Sequence, residues 1–382
     1  MSKYRFTEIV DALPASVPFV GPETQERQRQ QPFAARLGAN ESVFGPSPAA
    51  QKAICDAGGD VWMYGDPETH DLRQALAAHH GVDAANIVVG EGIDGLLGYL
   101  VRLFVGPGDV VVTSDGAYPT FNYHVQGYGG VLHKVPYRDD HEDPAALIDA
   151  ATGTRAKLIY LANPDNPMGT WHGAAAIERM IESVPDGCVL VLDEAYIDCA
   201  PAGTAPALDV ANPSVIRMRT FSKAYGLAGL RVGYAIGPAA LITAFNKIRN
   251  HFGVGRLAQA AAMAALRDQA HLSDVIAWIK ASRDQITDIA RQNRLTALPS
   301  ATNFVTIDCG RDGRFARAVL SGLIEEGVFA RMPFVAPQDR CIRISCGTFA
   351  DNAVFANALP SALANAHKKS GDTREEEGAA AD

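Results

Sequence analysis

Six apolar runs of strand length recur between residues 86 and 237: "NIVVG" (86–90), "DVVVTS" (109–114), "AKLIYLAN" (156–163), "CVLVLDEAY" (188–196), "VIRMRTFS" (215–222) and "RVGYAIG" (231–237). They are apolar almost without interruption rather than at every second position, so both faces of each strand need cover. Segments of helical length lie between most of them. Strands alternating with helices specify an α/β unit with a mainly parallel sheet covered on both sides. Near residue 250 the pattern gives way to a long alanine-rich helical stretch, "LAQAAAMAALRDQAHLSDVIAWIKASRDQITDIARQN", then to "NFVTIDCG", a helix and "CIRISCG". That succession predicts a second, smaller α+β domain joined by a long helix. The expected organisation is an N-terminal arm over 1–45 that contributes part of the small domain, a large domain over 46–255 and a small C-terminal domain over 256–367. The charged, small-residue tail over 368–382 is expected to be disordered.

Charge narrows the class of partner. The chain has 34 Lys and Arg against 43 Asp and Glu, a net charge of −9 and a pI near 5.6. Such a balance leaves no electrostatic footprint for nucleic acid or an anionic membrane. No 18 uncharged apolar residues run together, and the start "MSKYRFTEIVDALPASVPFV" lacks the apolar core of a secretory signal, so a soluble protein is expected. Cys55, Cys188, Cys199, Cys309, Cys341 and Cys346 form no C-x-x-C pair and several lie in apolar runs, the pattern of reduced thiols in a cytoplasm without disulfides. The histidines, among them His70, His79 and His80, show no metal-ligand spacing, and no metal is expected.

One motif points to a nicotinamide cofactor. In "NIVVGEGIDGLLGYLVRLFV", Gly90, Gly92 and Gly95 stand in G-x-G-x-x-G register between a strand and a helix, and Asp115 ends the next strand twenty residues beyond Gly95. That spacing meets the dinucleotide fingerprint, yet the same backbone turn holds any phosphate at a helix N-terminus, a monophosphate included. Other stretches bear on the choice. Asp193 ends a strongly apolar strand at its carboxyl edge, where a carboxylate needs a partner or a ligand because unpaired burial is costly. "RTFSKAYGLAGLRVGYAIG" sets Lys223 beside Thr220 and Ser222 in a glycine- and alanine-rich loop with Arg231 eight positions on, and "LANPDNPMGT" leaves an Asn amide at another strand end. A phosphate, a ring nitrogen that is protonated beside a carboxylate and a carbonyl that condenses with lysine are the three handles of pyridoxal 5′-phosphate. On this reading Lys223 forms the Schiff base, Asp193 pairs with the pyridine nitrogen, and Thr220, Ser222 and Arg231 take the phosphate. Each group also has a plain structural reading: Asp193 as a cap, Tyr118 and Tyr196 as half-buried aromatics, Arg231 and Arg343 as partners of core carboxylates, Arg331 as a solvated turn residue.

In their order along the chain, eight blocks resemble the fold-type I aminotransferases, and within them the histidinol-phosphate aminotransferase subgroup, over residues 36–365. They are "LGANESVFGPSP", "YGDPETHDLRQALA", "VGEGIDGLLG", "DGAYPTF", "NPDNPMGT", "DEAY", "TFSKAYGLAGLRVGY" and "CIRISCGT". The resemblance implies a mainly parallel seven-stranded sheet in the large domain, pyridoxal 5′-phosphate as cofactor and a homodimer with shared active sites. It implies that Lys223 moves the proton between substrate and cofactor, that Asn166 and Tyr196 hydrogen-bond the ring oxygen, and that Tyr118 stacks on the ring. Ile93 and Asp94 would give backbone N–H groups to the phosphate, and Tyr64 would reach it from the neighbouring subunit. Asn40 and Arg343 would bind substrate, Arg343 at its anionic end, joined by Arg331, twelve residues earlier in "GVFARMPF". The implied reaction transfers the amino group of L-histidinol phosphate to 2-oxoglutarate, giving imidazole acetol phosphate and L-glutamate. Met168, Glu91, Gly95 and Ser42 depart from the family pattern, and Glu41, Ser42 and Phe44 fall in the segment expected to line the substrate pocket. The alternatives are an aromatic amino acid aminotransferase, a lyase resembling threonine-phosphate decarboxylase and an NAD-dependent dehydrogenase.

Overall fold

A computed structural model describes residues 4–15 and 20–369. The tail expected over 368–382 lies outside the described residues from 370 onward. Seven strands build one sheet: β1 Ile87–Gly90, β2 Val110–Ser114, β3 Val131–Val135, β4 Leu158–Ala162, β5 Val189–Asp193, β6 Val215–Thr220 and β7 Gly233–Ile236. Their order is β1-β7-β6-β5-β4-β2-β3. β7 runs against both of its neighbours, and the other pairs are parallel, so the expected mainly parallel seven-stranded sheet is present. Six strands are the apolar runs of the sequence. The seventh, β3, is the edge strand "VLHKV", mostly open to solvent apart from Val135; its polar His133 and Lys134 suit an edge and conceal it from a search for apolar runs.

Residue parity divides the core in two. Leu158, Tyr160, Ala162, Val189 and Val191 pack with Leu96, Leu97 and Leu100 of the helix Gly92–Phe104 and with Phe121 and Val125 of the helix Pro119–Gly127. Ile159, Leu161, Leu190 and Leu192 face the other way, against Leu147 and Ala151 of the helix Pro144–Thr154 and Ile177 and Met180 of the helix Ala174–Glu182. The near-continuous apolar runs are thus explained by burial on both faces.

Contacts divide the described chain into two units. The first comprises residues 4–15, 41–281 and 299–303, and the second residues 20–40, 282–298 and 304–369. The boundary falls inside the helix Gln269–Gln292 rather than at 255/256, because the helix Arg256–Arg267 packs on the helices Pro48–Ala57 and His70–His80 of the first unit. The segment expected as one arm over 1–45 is also divided, and Ala35–Arg36 pairs in parallel with Val328–Phe329 inside the second unit. That unit holds an antiparallel sheet of β8 Thr296–Ala297, β9 Phe304–Asp308 and β10 Cys341–Ser345, with β9 central. Its helices Gly313–Glu325 and Phe349–Lys369 pack against each other. Among the described residues no helix is long and apolar enough to cross a membrane.

Candidate active site

Six strands of the large sheet run in one direction, so their carboxyl ends gather along one edge, and β7 begins at that same edge. Ligands of such sheets bind outside the carboxyl ends. The loops that leave this edge carry Ile93 and Asp94 after β1, Tyr118 after β2, Asn166 after β4, Asp193 and Tyr196 at the end of β5, Thr220, Ser222 and Lys223 at the end of β6, and Arg231 before β7. Every site candidate of the first unit except Tyr64 is therefore brought to one edge.

The candidate phosphate cradle is built around glycine. Gly92 opens its helix with a φ of 76°, and a Cβ there would stand 2.6 Å from Arg231 Nη2; a Cβ on Gly233 would stand 2.9 Å from the Ile93 nitrogen. The Thr220 hydroxyl donates to Ser222 Oγ at 2.9 Å, the Ser222 N–H donates to Thr220 Oγ1 at 3.0 Å, and Arg231 Nη1 reaches Ser222 Oγ at 3.4 Å. Arg231 is itself left-handed, with a φ of 52°. The first-turn N–H groups of the helix lack intrahelical acceptors, and together with a guanidinium and two hydroxyls they form an anion site. The Asp94 side chain pairs with His124 Nε2 at 3.0 Å, so only its backbone belongs to this cradle.

Asp193 is buried, and burial raises its carboxyl above the ordinary value, opposed by hydrogen bonds from the Tyr160 hydroxyl and the Ala195 N–H and by the Lys223 charge. Lys223 Nζ lies 5.2 Å from the centroid of the Tyr196 ring, and Asn166 Nδ2 donates to the Tyr196 hydroxyl at 3.4 Å. Tyr118 is half-buried at the head of its helix, and burial pushes its phenol up to about 12. A phosphate cradle that a Cβ would fill, a buried carboxylate for a ring cation and a lysine beside it fit the three handles of pyridoxal 5′-phosphate.

The nicotinamide reading fails on strand order. Its acidic residue should close the strand beside β1, whereas Asp115 follows β2, with β7, β6, β5 and β4 lying between, and accepts from Lys134 Nζ at 3.1 Å.

Three supporting groups escaped the sequence reading. Glu194 accepts from both Arg217 and Arg219, which ties the ends of β5 and β6 together. Two arginines at alternate positions of an apolar strand were the available signal, since each needs a buried partner. Asp165 accepts from the Tyr137 hydroxyl and the Met168 N–H, both at 2.9 Å, and so braces the turn that presents Asn166. Tyr160 donates to Asp193, a contact set by strand register, which no motif reports.

Tyr64 stands apart. It is 78% exposed, its ring is 4.9 Å from that of Phe252, and Val61 and Trp62 beside it in sequence are also exposed.

In the second unit Arg331 and Arg343 face each other across an antiparallel bridge: the Arg331 N–H donates to the Arg343 carbonyl at 3.3 Å and the Arg343 N–H to the Arg331 carbonyl at 2.6 Å. Residues opposed in this way project their side chains on the same side of the pair. Arg343 is 8% exposed, lies over the Phe304 ring and donates to the Gly38 carbonyl at 3.3 Å. Arg331 lies over Phe329 and donates to the Val20 carbonyl at 3.1 Å. Asn40 adopts a left-handed φ of 55° and is tied to the end of β10, its N–H donating to Ser345 Oγ and its Oδ1 accepting from the Ser345 hydroxyl, both at 2.9 Å.

Residues 35–359 match the family model of class I and II aminotransferases. A histidinol-phosphate aminotransferase of Moorella thermoacetica is 36% identical over 361 residues, covering 93% of this chain and 92% of the relative. The crystal structure of histidinol-phosphate aminotransferase from Sinorhizobium meliloti in complex with pyridoxal-5′-phosphate aligns with a TM-score of 0.93 at 52% identity, over 95% of this chain and 98% of that one. A double mutant of Thermus thermophilus aspartate aminotransferase, 23% identical with a TM-score of 0.77 over 93% and 100% of the two chains, shares the fold.

Proposed function

The chain belongs to the class I and II aminotransferases, and from that premise we propose that it transfers the amino group of L-histidinol phosphate to 2-oxoglutarate with pyridoxal 5′-phosphate, giving imidazole acetol phosphate and L-glutamate. The observation that carries this reading is the assembly of Lys223, Asp193 and the Arg231 cradle on one sheet edge. When bound, the cofactor supplies the electron sink for charge that develops on the substrate carbon. Thr220, Ser222, Arg231 and the N–H groups of Ile93 and Asp94 hold the phosphate. Asp193 would keep the proton on the ring nitrogen, Asn166 and Tyr196 would hydrogen-bond the ring oxygen, and Tyr118 would cover the ring face. Lys223 Nζ would take the proton from the substrate carbon that bears the amine and deliver it to the cofactor carbon that had been joined to the lysine.

Histidinol phosphate has no α-carboxylate, so its phosphate and the carboxylate of 2-oxoglutarate must be held in turn by one anion site. The opposed pair Arg331 and Arg343 supports that dual use, since a guanidinium binds either anion in bidentate fashion. Asn40 fixes the backbone beside them. Comparing kcat/KM for histidinol phosphate, phenylalanine and tyrosine tests the assignment: histidinol phosphate is expected to lead. Arg331→Ala is expected to lower its value about tenfold more than that for phenylalanine, the worth of one charge-assisted bond. Equal losses remove the phosphate role of Arg331, and a preference for phenylalanine moves the assignment to an aromatic aminotransferase.

The active unit on this reading is a cytoplasmic homodimer, in which Tyr64 reaches the phosphate of the partner's cofactor. Support comes from the exposed Val61, Trp62, Tyr64 and Phe252, since apolar surface of this kind marks an interface, and from six free thiols. Mixing inactive Lys223→Ala protein with an inactive Tyr64→Ala variant should restore activity through hybrids that contain one intact site. Full activity in a demonstrated monomer rules the arrangement out.

A further inference from the structure

Asp193 has a buried partner to which the reaction described above gives no part. Tyr160 lies on β4, is fully buried, and donates its hydroxyl to Asp193 Oδ2 at 2.6 Å. Register brings them together. Tyr160 pairs with Val191 and Ala162 with Asp193, so phenol and carboxylate are diagonal neighbours on one face of adjacent strands, a separation that an aromatic side chain spans. Phe121 stacks on the Tyr160 ring with centroids 4.6 Å apart and planes 19° apart, which prevents the phenol from turning away. The other carboxylate oxygen accepts from the Ala195 N–H at 2.9 Å. Each oxygen of Asp193 is thus held by one donor and keeps a lone pair for a ligand. Burial, reinforced by the nearby Asp193, holds the Tyr160 phenol far above its ordinary value, so it remains a donor across the working range. The other titratable groups around Asp193 are Lys223, Glu194, Glu142 and Tyr118.

We propose that Tyr160 is a positioning residue for this reaction, whose hydroxyl orients the Asp193 carboxylate and favours its charged form, so that a protonated pyridine nitrogen is held. A hydrogen bond to the charged form of an acid stabilises that form, here against the burial that opposes it. The inference rests on the cofactor reading given above.

Tyr160→Phe keeps the ring and its stack and removes the hydroxyl alone. It is expected to raise the Kd for pyridoxal 5′-phosphate about tenfold, the loss of one hydrogen bond to a charged group. Turnover should fall while KM for the amino donor stays the same. The acid limb of the kcat profile should move to higher pH, because Asp193 without this donor takes up a proton more readily. A double-mutant cycle then separates positioning from packing: in the Asp193→Asn background, Tyr160→Phe should change the Kd by less than about twofold. An equal effect in both backgrounds, or an unmoved Kd and acid limb in the single variant, overturns the proposal. Should Tyr160→Phe fail to fold, 3-fluorotyrosine at position 160 carries the test as a stronger donor of nearly the same shape. It should move the acid limb to lower pH, and an unchanged limb is the overturning result. Failure of the unaltered chain to bind pyridoxal 5′-phosphate defeats the cofactor reading itself, whereas normal binding with an additive cycle defeats this inference alone.

Discussion

Lys223→Ala is expected to lower turnover by about 10⁴-fold or more, the upper range for loss of a positioned general base, since the same amine also forms the covalent link to the cofactor. The fold should survive. Lys223 is only half-buried, and its neighbours in the loop, Thr220 and Ser222, are fastened by their own hydrogen bonds and not by the lysine. Borohydride reduction of the unaltered protein followed by peptide mapping should place the trapped cofactor on the peptide that contains Lys223. The variant should show no trapped cofactor and an unchanged Tm. A label on another lysine, or turnover within tenfold of the unaltered enzyme, removes Lys223 from the chemistry.

Arg343→Ala should produce the second largest loss, about 10²–10³-fold in kcat/KM, because truncating one member of a buried charged pair costs about 2–5 kcal/mol. Since this arginine is assigned to both anions, the loss should be similar for histidinol phosphate and for 2-oxoglutarate. Arg343→Lys should recover only part of it: an ammonium carries the charge but cannot reproduce a planar bidentate fork. Removing the side chain also forfeits its packing over Phe304 and the bond to Gly38, so thermal unfolding of the variant must be measured alongside the kinetics. Unequal losses for the two substrates would show that a different residue binds one of the anions.

Much of the first unit was legible because strand ends are marked in sequence. An apolar run that stops at Asp193, or at Thr220 before Ser222 and Lys223, announces the edge of a buried sheet and a polar group placed there. Edge strand β3 escaped because a strand open to solvent carries His133 and Lys134 and loses the apolar signature on which the reading relied. The unit boundary moved for a similar reason. The alanine-rich face of Arg256–Arg267 identifies a helix but not the surface it packs on, which proved to be the first unit.

The sequence by itself determined the fold class, the two-layered cover of the sheet and the strand ends that carry Asp193, Thr220, Ser222 and Lys223, because hydrophobic periodicity and strand termination are local properties of the chain, whereas Ile93, Asp94, Tyr118, Asn166 and Tyr196 were singled out only by the family resemblance. Only the tertiary structure decided strand order and register. Those two features excluded the dinucleotide reading by separating β1 from Asp115, set Tyr160 beneath Asp193, and opposed Arg331 to Arg343. The physical reason is that strands pair through backbone N–H and C=O groups that every residue except proline carries alike, so the order in which buried apolar strands lie side by side is settled by packing of the whole domain and leaves no motif in the chain.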